Sequence, residues 1–152
     1  MHRSEWMVIR VEYSFTIPGR LDGLNDYTAA NRTNPHKGGK AKRDNEILVI
    51  GCIRHQLRGI HITDPVLIYY HFYEKDMRRD GDNIVSCGAK FIQDSLTKTQ
   101  VLQEDNRKCI PNFYHDVSVD RENPRIEVTI TELTKEQSKM PLIDLLKDLE
   151  VG

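Results

Sequence analysis

Alternation of apolar and polar positions is clearest near the start of the chain. From Met7 to Ile17, Val8, Arg10, Glu12 and Ser14 alternate with Ile9, Val11, Tyr13 and Phe15. A period of two predicts a strand with one buried face. Pro18-Gly19 ends it, and residues 19–39, rich in Gly, Asn, Asp and Thr, read as a long loop. The spacing changes to helical over residues 40–57, where Ile47, Ile50, Arg54 and Leu57 recur, with Leu48 and Ile53 flanking, until Gly59 stops the pattern. After Pro65, the β-branched and aromatic run VLIYYHFYE predicts a central strand. A polar break at residues 80–83 precedes a second helix, Ile84 to Leu96. Its apolar face holds Ile84, Val85, Gly88, Ala89, Phe91, Ile92, Ser95 and Leu96, while Asn83, Lys90 and Asp94 share the opposite face. Residues 107–119 and 124–133 read as strands around a turn at residues 120–124. In the tail, Pro141 opens a short helix with the stripe Leu142, Leu145, Leu146 and Leu149, docked on its own domain or on a partner subunit. The expectation is one α+β domain over residues 1–133, with a mixed or antiparallel sheet and two main helices against it, followed by a tail, residues 134–152.

The length, 152 residues, suits one domain with one core, and the balance of 38% hydrophobic to 30% charged residues suits a folded chain. No apolar run with a small-residue cleavage site opens the sequence, and no stretch is long enough to span a bilayer, so a cytoplasmic location without a membrane partner is expected. Cys52, Cys87 and Cys109 are odd in number and far apart, which argues against a disulfide framework or a zinc site. His71 falls between aromatics in the central strand and reads as a hydrogen-bonded structural residue, and Trp6 as a packing residue.

The net charge of −1 signals no nucleic acid, but charge is unevenly placed. Arg32, Lys37, Lys40, Lys42 and Arg43 stand in one segment without an acid, whereas Asp80, Asp82, Asp94, Glu104 and Asp105 follow further on. A basic segment able to hold phosphates, with Lys37, Lys40, Lys42 and Arg43 as candidates, and a separate acidic set able to hold cations suit a metal-dependent nuclease. Phosphodiester hydrolysis at neutral pH is assisted by divalent cations, and magnesium needs only a few carboxylates. Asp80 and Asp82 stand where the central strand ends, and Glu104 and Asp105 before the next strand, so both pairs could meet at one end of the sheet. A calcium loop is excluded, because the twelfth position from Asp80 is Phe91. The plainer readings are a solvated Lys90–Asp94 helix pair and a helix cap at Asn83.

The sequence resembles RusA-type Holliday junction resolvases. The resemblance rests on Asp80-Gly-Asp82-Asn83, on Lys90-Phe-Ile-Gln-Asp94-Ser-Leu96 and on Glu104-Asp105-Asn106. It extends to the first strand ending in IPG, the Leu24-Asn25 pair, the basic segment and the closing strand RIEVTITEL, covering about residues 8–133. It implies a crossover junction endodeoxyribonuclease, a hydrolase that nicks four-way junction DNA symmetrically as a homodimer in recombination and repair. Such proteins often belong to phages and prophages. It implies Mg²⁺, with Mn²⁺ as a substitute, on Asp80, Asp82 and Asp105, with Glu104 where an aspartate is usual. Lys90 would be the catalytic lysine, and Asn83 and Asp94 supporting residues. Six residues, IVSCGA, separate Asn83 from Lys90, about one helical turn more than in the family. A bulge near Gly88 would return Lys90 to the site, whereas a regular helix would leave it roughly 6 Å along the axis. The alternatives are a non-catalytic branched-DNA-binding protein and a metal-dependent nuclease for other branched structures.

Overall fold

The computed structural model describes residues 10–151. Trp6 and the first residues of the expected opening strand lie outside them. The order is β1 (Glu12–Pro18), α1 (Leu24–Thr33), α2 (Pro35–Gln56), β2 (Val66–Glu74), α3 (Gly81–Lys98), β3 (Asn112–Val119), β4 (Arg125–Glu132), a 3-10 turn (Gln137–Lys139) and α4 (Leu142–Val151). The sheet order is β1-β4-β2-β3. β4 lies antiparallel to both β1 and β2, and β2 runs parallel to β3, so the sheet is mixed. The fold is α+β.

The alternating pattern does the sorting. Phe15 and Ile17 from β1, Val66, Ile68, Tyr70 and Phe72 from β2, and Ile126, Val128 and Ile130 from β4 join one buried cluster with residues of α2 and α3. On the opposite face, Leu67 and Leu133 pack with Leu145, which is fully buried. The tail therefore docks on its own domain, and α4 makes a third layer over one end of the sheet.

Two readings need correction. The expected loop over residues 19–39 is largely helical: α1 fills residues 24–33, and α2 begins at Pro35. Three helices thus belong to the main helical layer instead of two. Local capping explains what composition hid. Asn34 accepts a hydrogen bond from the His36 N–H (2.7 Å), and Pro35 occupies the first turn, where no N–H is needed. The inward face of α2 is also rotated. Ile47 and Leu48 are exposed, and the buried line is Asn45, Val49, Ile53 and Leu57, with Glu46 beside it. Polar residues take inward places because they are paired: Asn45 exchanges hydrogen bonds with Asp22 (2.9 Å each way), and Lys98 binds Glu46.

α3 follows its predicted face closely, with Cys87 buried and Val85 only partly so. It is one helix from Gly81 to Lys98, with no bulge at Gly88. Gly88 serves close packing instead, since a Cβ there would stand 2.9 Å from the Phe72 ring. Gly59, at φ +77°, lets the chain turn away after α2.

Candidate active site

Arg79 fixes the approach to the D-x-D segment. Its guanidinium makes two 2.9 Å bonds to the buried Glu74 carboxylate at the end of β2 and a third to the Leu21 carbonyl. A buried carboxylate needs such a partner, so this fork ties β2 to the segment before α1. Asp80 then sits just before α3, and Asp82 lies in its first turn. Asn83 does not cap α3. Its side chain accepts from the Asn25 N–H (2.7 Å) and so caps α1. Asp80 and Asp26 line a cleft of about 320 Å³ together with Arg20, Lys75 and Arg78. The sequence reading passed over Arg79 and Asp26; an Arg beside the D-x-D was the visible signal for the first.

A second cluster lies further along α3. Lys90 Nζ is 3.2 Å from Asp94 and 3.6 Å from Asp105, which reaches it from the loop after the helix. Asp94 and Asp105 touch, and they divide the burden of two neighbouring carboxylates unequally. Burial and contact with Asp105 hold the Asp94 carboxyl above its ordinary range, although Lys90 opposes this. The hydrogen bond from Asp94 holds Asp105 below its ordinary range. Bonding to Asp94 raises the Lys90 ammonium, so the lysine stays charged.

The network continues onto α2. Lys42 Nζ lies 3.9 Å from Asp94 and 3.8 Å from Glu46, and Lys98 binds the other Glu46 oxygen. Charges thus alternate from Lys98 through Glu46, Lys42, Asp94 and Lys90 to Asp105. Glu46 Oε2 is buried and accepts no hydrogen bond, the one such side-chain atom among the described residues. Sequence inspection missed Glu46 because an acid on a charged helix ordinarily reads as solvated.

The two clusters do not merge. Lys90 stands eight residues beyond Asp82 and Asp94 twelve, which on a regular α-helix means about 12 Å and 18 Å of rise. Asp105 accompanies Lys90 and Asp94 instead of closing on Asp80 and Asp82. Among the described residues, no group of three or more His, Cys, Asp or Glu side chains is placed to hold a metal ion. Asp80, Asp82 and Asp105 therefore do not fit a single cation site in this conformation. Glu104 accepts a hydrogen bond from the Asn106 side chain.

Of the basic candidates, Lys40 is paired with Asp44 (2.8 Å) and Lys42 with Glu46 and Asp94. Lys37 and Arg43 are exposed on α2. His71 is hydrogen-bonded to Tyr69 (3.2 Å) and Ser118 (2.7 Å) and stacked on Tyr73, a structural role as expected. All three cysteines are free thiols. No helix among the described residues is long and apolar enough to cross a membrane. No family model matches the chain, and no curated protein matches it.

Proposed function

We propose that this chain is a RusA-type endodeoxyribonuclease that cuts four-way junction DNA as a homodimer with magnesium. The observation that carries this reading is the contact of Lys90 with Asp105 across fifteen residues. The resemblance names these two residues as catalytic partners, and the fold brings them together although the segment before Lys90 is a helical turn longer. Two hard oxygen donors in contact, Asp94 and Asp105, suit one magnesium ion, which keeps several waters and needs only one or two protein carboxylates. The ion would supply acidified water and neutralise phosphate charge. Lys90, mostly exposed, can leave its carboxylates for a phosphate oxygen, and Asp94 and Asp105 hold it ready in its charged form. A two-fold dimer with one such centre per subunit matches the two-fold symmetry of the junction.

One observation favours the non-catalytic alternative, binding of branched DNA without cleavage. The D-x-D stands about 12 Å of helix rise from Lys90. Incubation of the full chain with a labelled synthetic junction, with and without Mg²⁺, separates the readings. Symmetric nicking that needs Mg²⁺ and is abolished by Asp105→Asn, with junction binding retained, is the expected result. Tight junction binding without cleavage in Mg²⁺ or Mn²⁺ would establish the alternative. Faster cutting of flaps than of junctions would reassign the substrate.

A further inference from the structure

Directly after Asp105 the chain makes a tight, side-chain-braced turn. The Asn106 side chain accepts from the Lys108 N–H (3.1 Å) and the Cys109 N–H (3.0 Å), and the Ile110 N–H donates to the Asn106 carbonyl (2.8 Å). Arg107 and Lys108 are thereby presented on a fixed backbone. Facing them is the 3-10 turn at Gln137–Lys139, tied to the start of β3 by a hydrogen bond from Asn112 to the Met140 carbonyl (3.2 Å). Between these walls lies a groove of about 670 Å³, whose charged lining is Arg107, Lys108 and Lys139, with no acid.

This differs from the paired lysines of α2 and α3. Lys40, Lys42, Lys90 and Lys98 are each neutralised by a carboxylate. Among the described residues, Arg107, Lys108 and Lys139 are exposed and none is ion-paired. Three unpaired cations held on separate, braced segments repel one another. A polyanion relieves that repulsion and releases its own counterions. Arg107 is two residues from Asp105, so at most about 7 Å of extended backbone separates them.

We propose that this groove grips the sugar–phosphate backbone of the DNA next to the phosphate presented to Lys90 and Asp105. The proposal rests on the nuclease reading above and adds the surface that holds the substrate.

Equilibrium binding of a labelled four-way junction to the full chain, without divalent cations so that no cleavage occurs, tests it across a range of salt. The variant Arg107→Ala/Lys108→Ala/Lys139→Ala should lose at least about tenfold in affinity. Its slope of log affinity against log salt should flatten by up to about 2.7, at about 0.9 per lost phosphate contact. Lys139→Glu, a single exposed change that leaves the Asn106 turn intact, should weaken binding in the same direction. Circular dichroism should show both variants folded. If the wild type binds the junction and the folded variants keep its affinity and slope, the groove assignment is overturned while the DNA reading stands. If the wild type binds neither junction nor duplex at low salt, both fall. Binding to phosphatidylserine vesicles but not to DNA would also overturn the proposal, in favour of a membrane-surface role.

Discussion

Lys90, Asp94 and Asp105 carry the most specific expectations at the scale of single residues. Lys90→Ala should slow junction cleavage at least about a hundredfold, a barrier increase of about 2.7 kcal/mol, with little effect on binding in the absence of metal. Single-turnover cleavage measures this directly. Asp82→Asn is the informative control. Loss of activity comparable to Asp105→Asn would mean that the D-x-D joins the second cluster on substrate DNA; near-wild-type activity would assign catalysis to the second cluster alone. Asp94 adds a pH dependence. Its carboxyl titrates above the ordinary range, and a protonated carboxyl is a poor ligand. Magnesium affinity should therefore be present above that pKa and fall as pH drops through it, and added Mg²⁺ should lower the pKa. Carbon-detected NMR titration of Asp94 with and without Mg²⁺ reads both effects.

At the scale of elements, α3 determines what is near what. At Gly88 it packs tightly against the buried Phe72 ring. Gly88→Ala gains up to about 1 kcal/mol of helix propensity, but it forces an overpacked contact costing about 1–3 kcal/mol. The expected outcome is a net loss of stability, seen as a lower midpoint of urea unfolding with an unchanged m-value. Asn83→Ala should cost about 0.5–2 kcal/mol through loss of the α1 cap, with Asn83→Asp much closer to wild type. β1, β4 and α3 were legible in sequence because each buries one face and its pattern has a single period, whereas the strand expected over residues 107–119 begins only at Asn112, since the Asn106 side chain braces residues 107–109 into a turn. α1 was not legible, since its start combines a local Gly23–Asp26 hydrogen bond with a cap on the Asn25 N–H from Asn83, 58 positions away in sequence. The inward face of α2 was misread for a related reason. Asn45 and Glu46 turn inward only because Asp22 and Lys98 meet them there, and hydropathy records no partner. In the candidate site, Lys90 and Asp94 were legible from their helical spacing, but the arrival of Asp105 beside them is a property of the loop after α3.

For the molecule as a whole, the proposed dimer needs a surface. No described strand pairs with the outer edge of β3, which carries the exposed Phe113, Val117 and Val119. An open edge with apolar side chains readily accepts another strand, and lysine is a natural block to such pairing. Sedimentation equilibrium should show a dimer, and Val117→Lys should shift the population towards monomer without unfolding it. An unchanged dimer in that variant would move the interface away from β3.

On the proposed DNA substrate, α3 would also act as a ruler. Asp82 in its first turn and the Lys90–Asp94 pair stand on one rod, about 12 to 18 Å apart along the axis. Nucleotides on one strand of a duplex advance about 3.4 Å each, so a DNA arm lying along α3 would meet the clusters about four to five steps apart. A substitution at either end changes one contact point, whereas insertion of a further turn into α3 would change the interval itself. The length of this helix would then set which phosphate is addressed relative to the branch point.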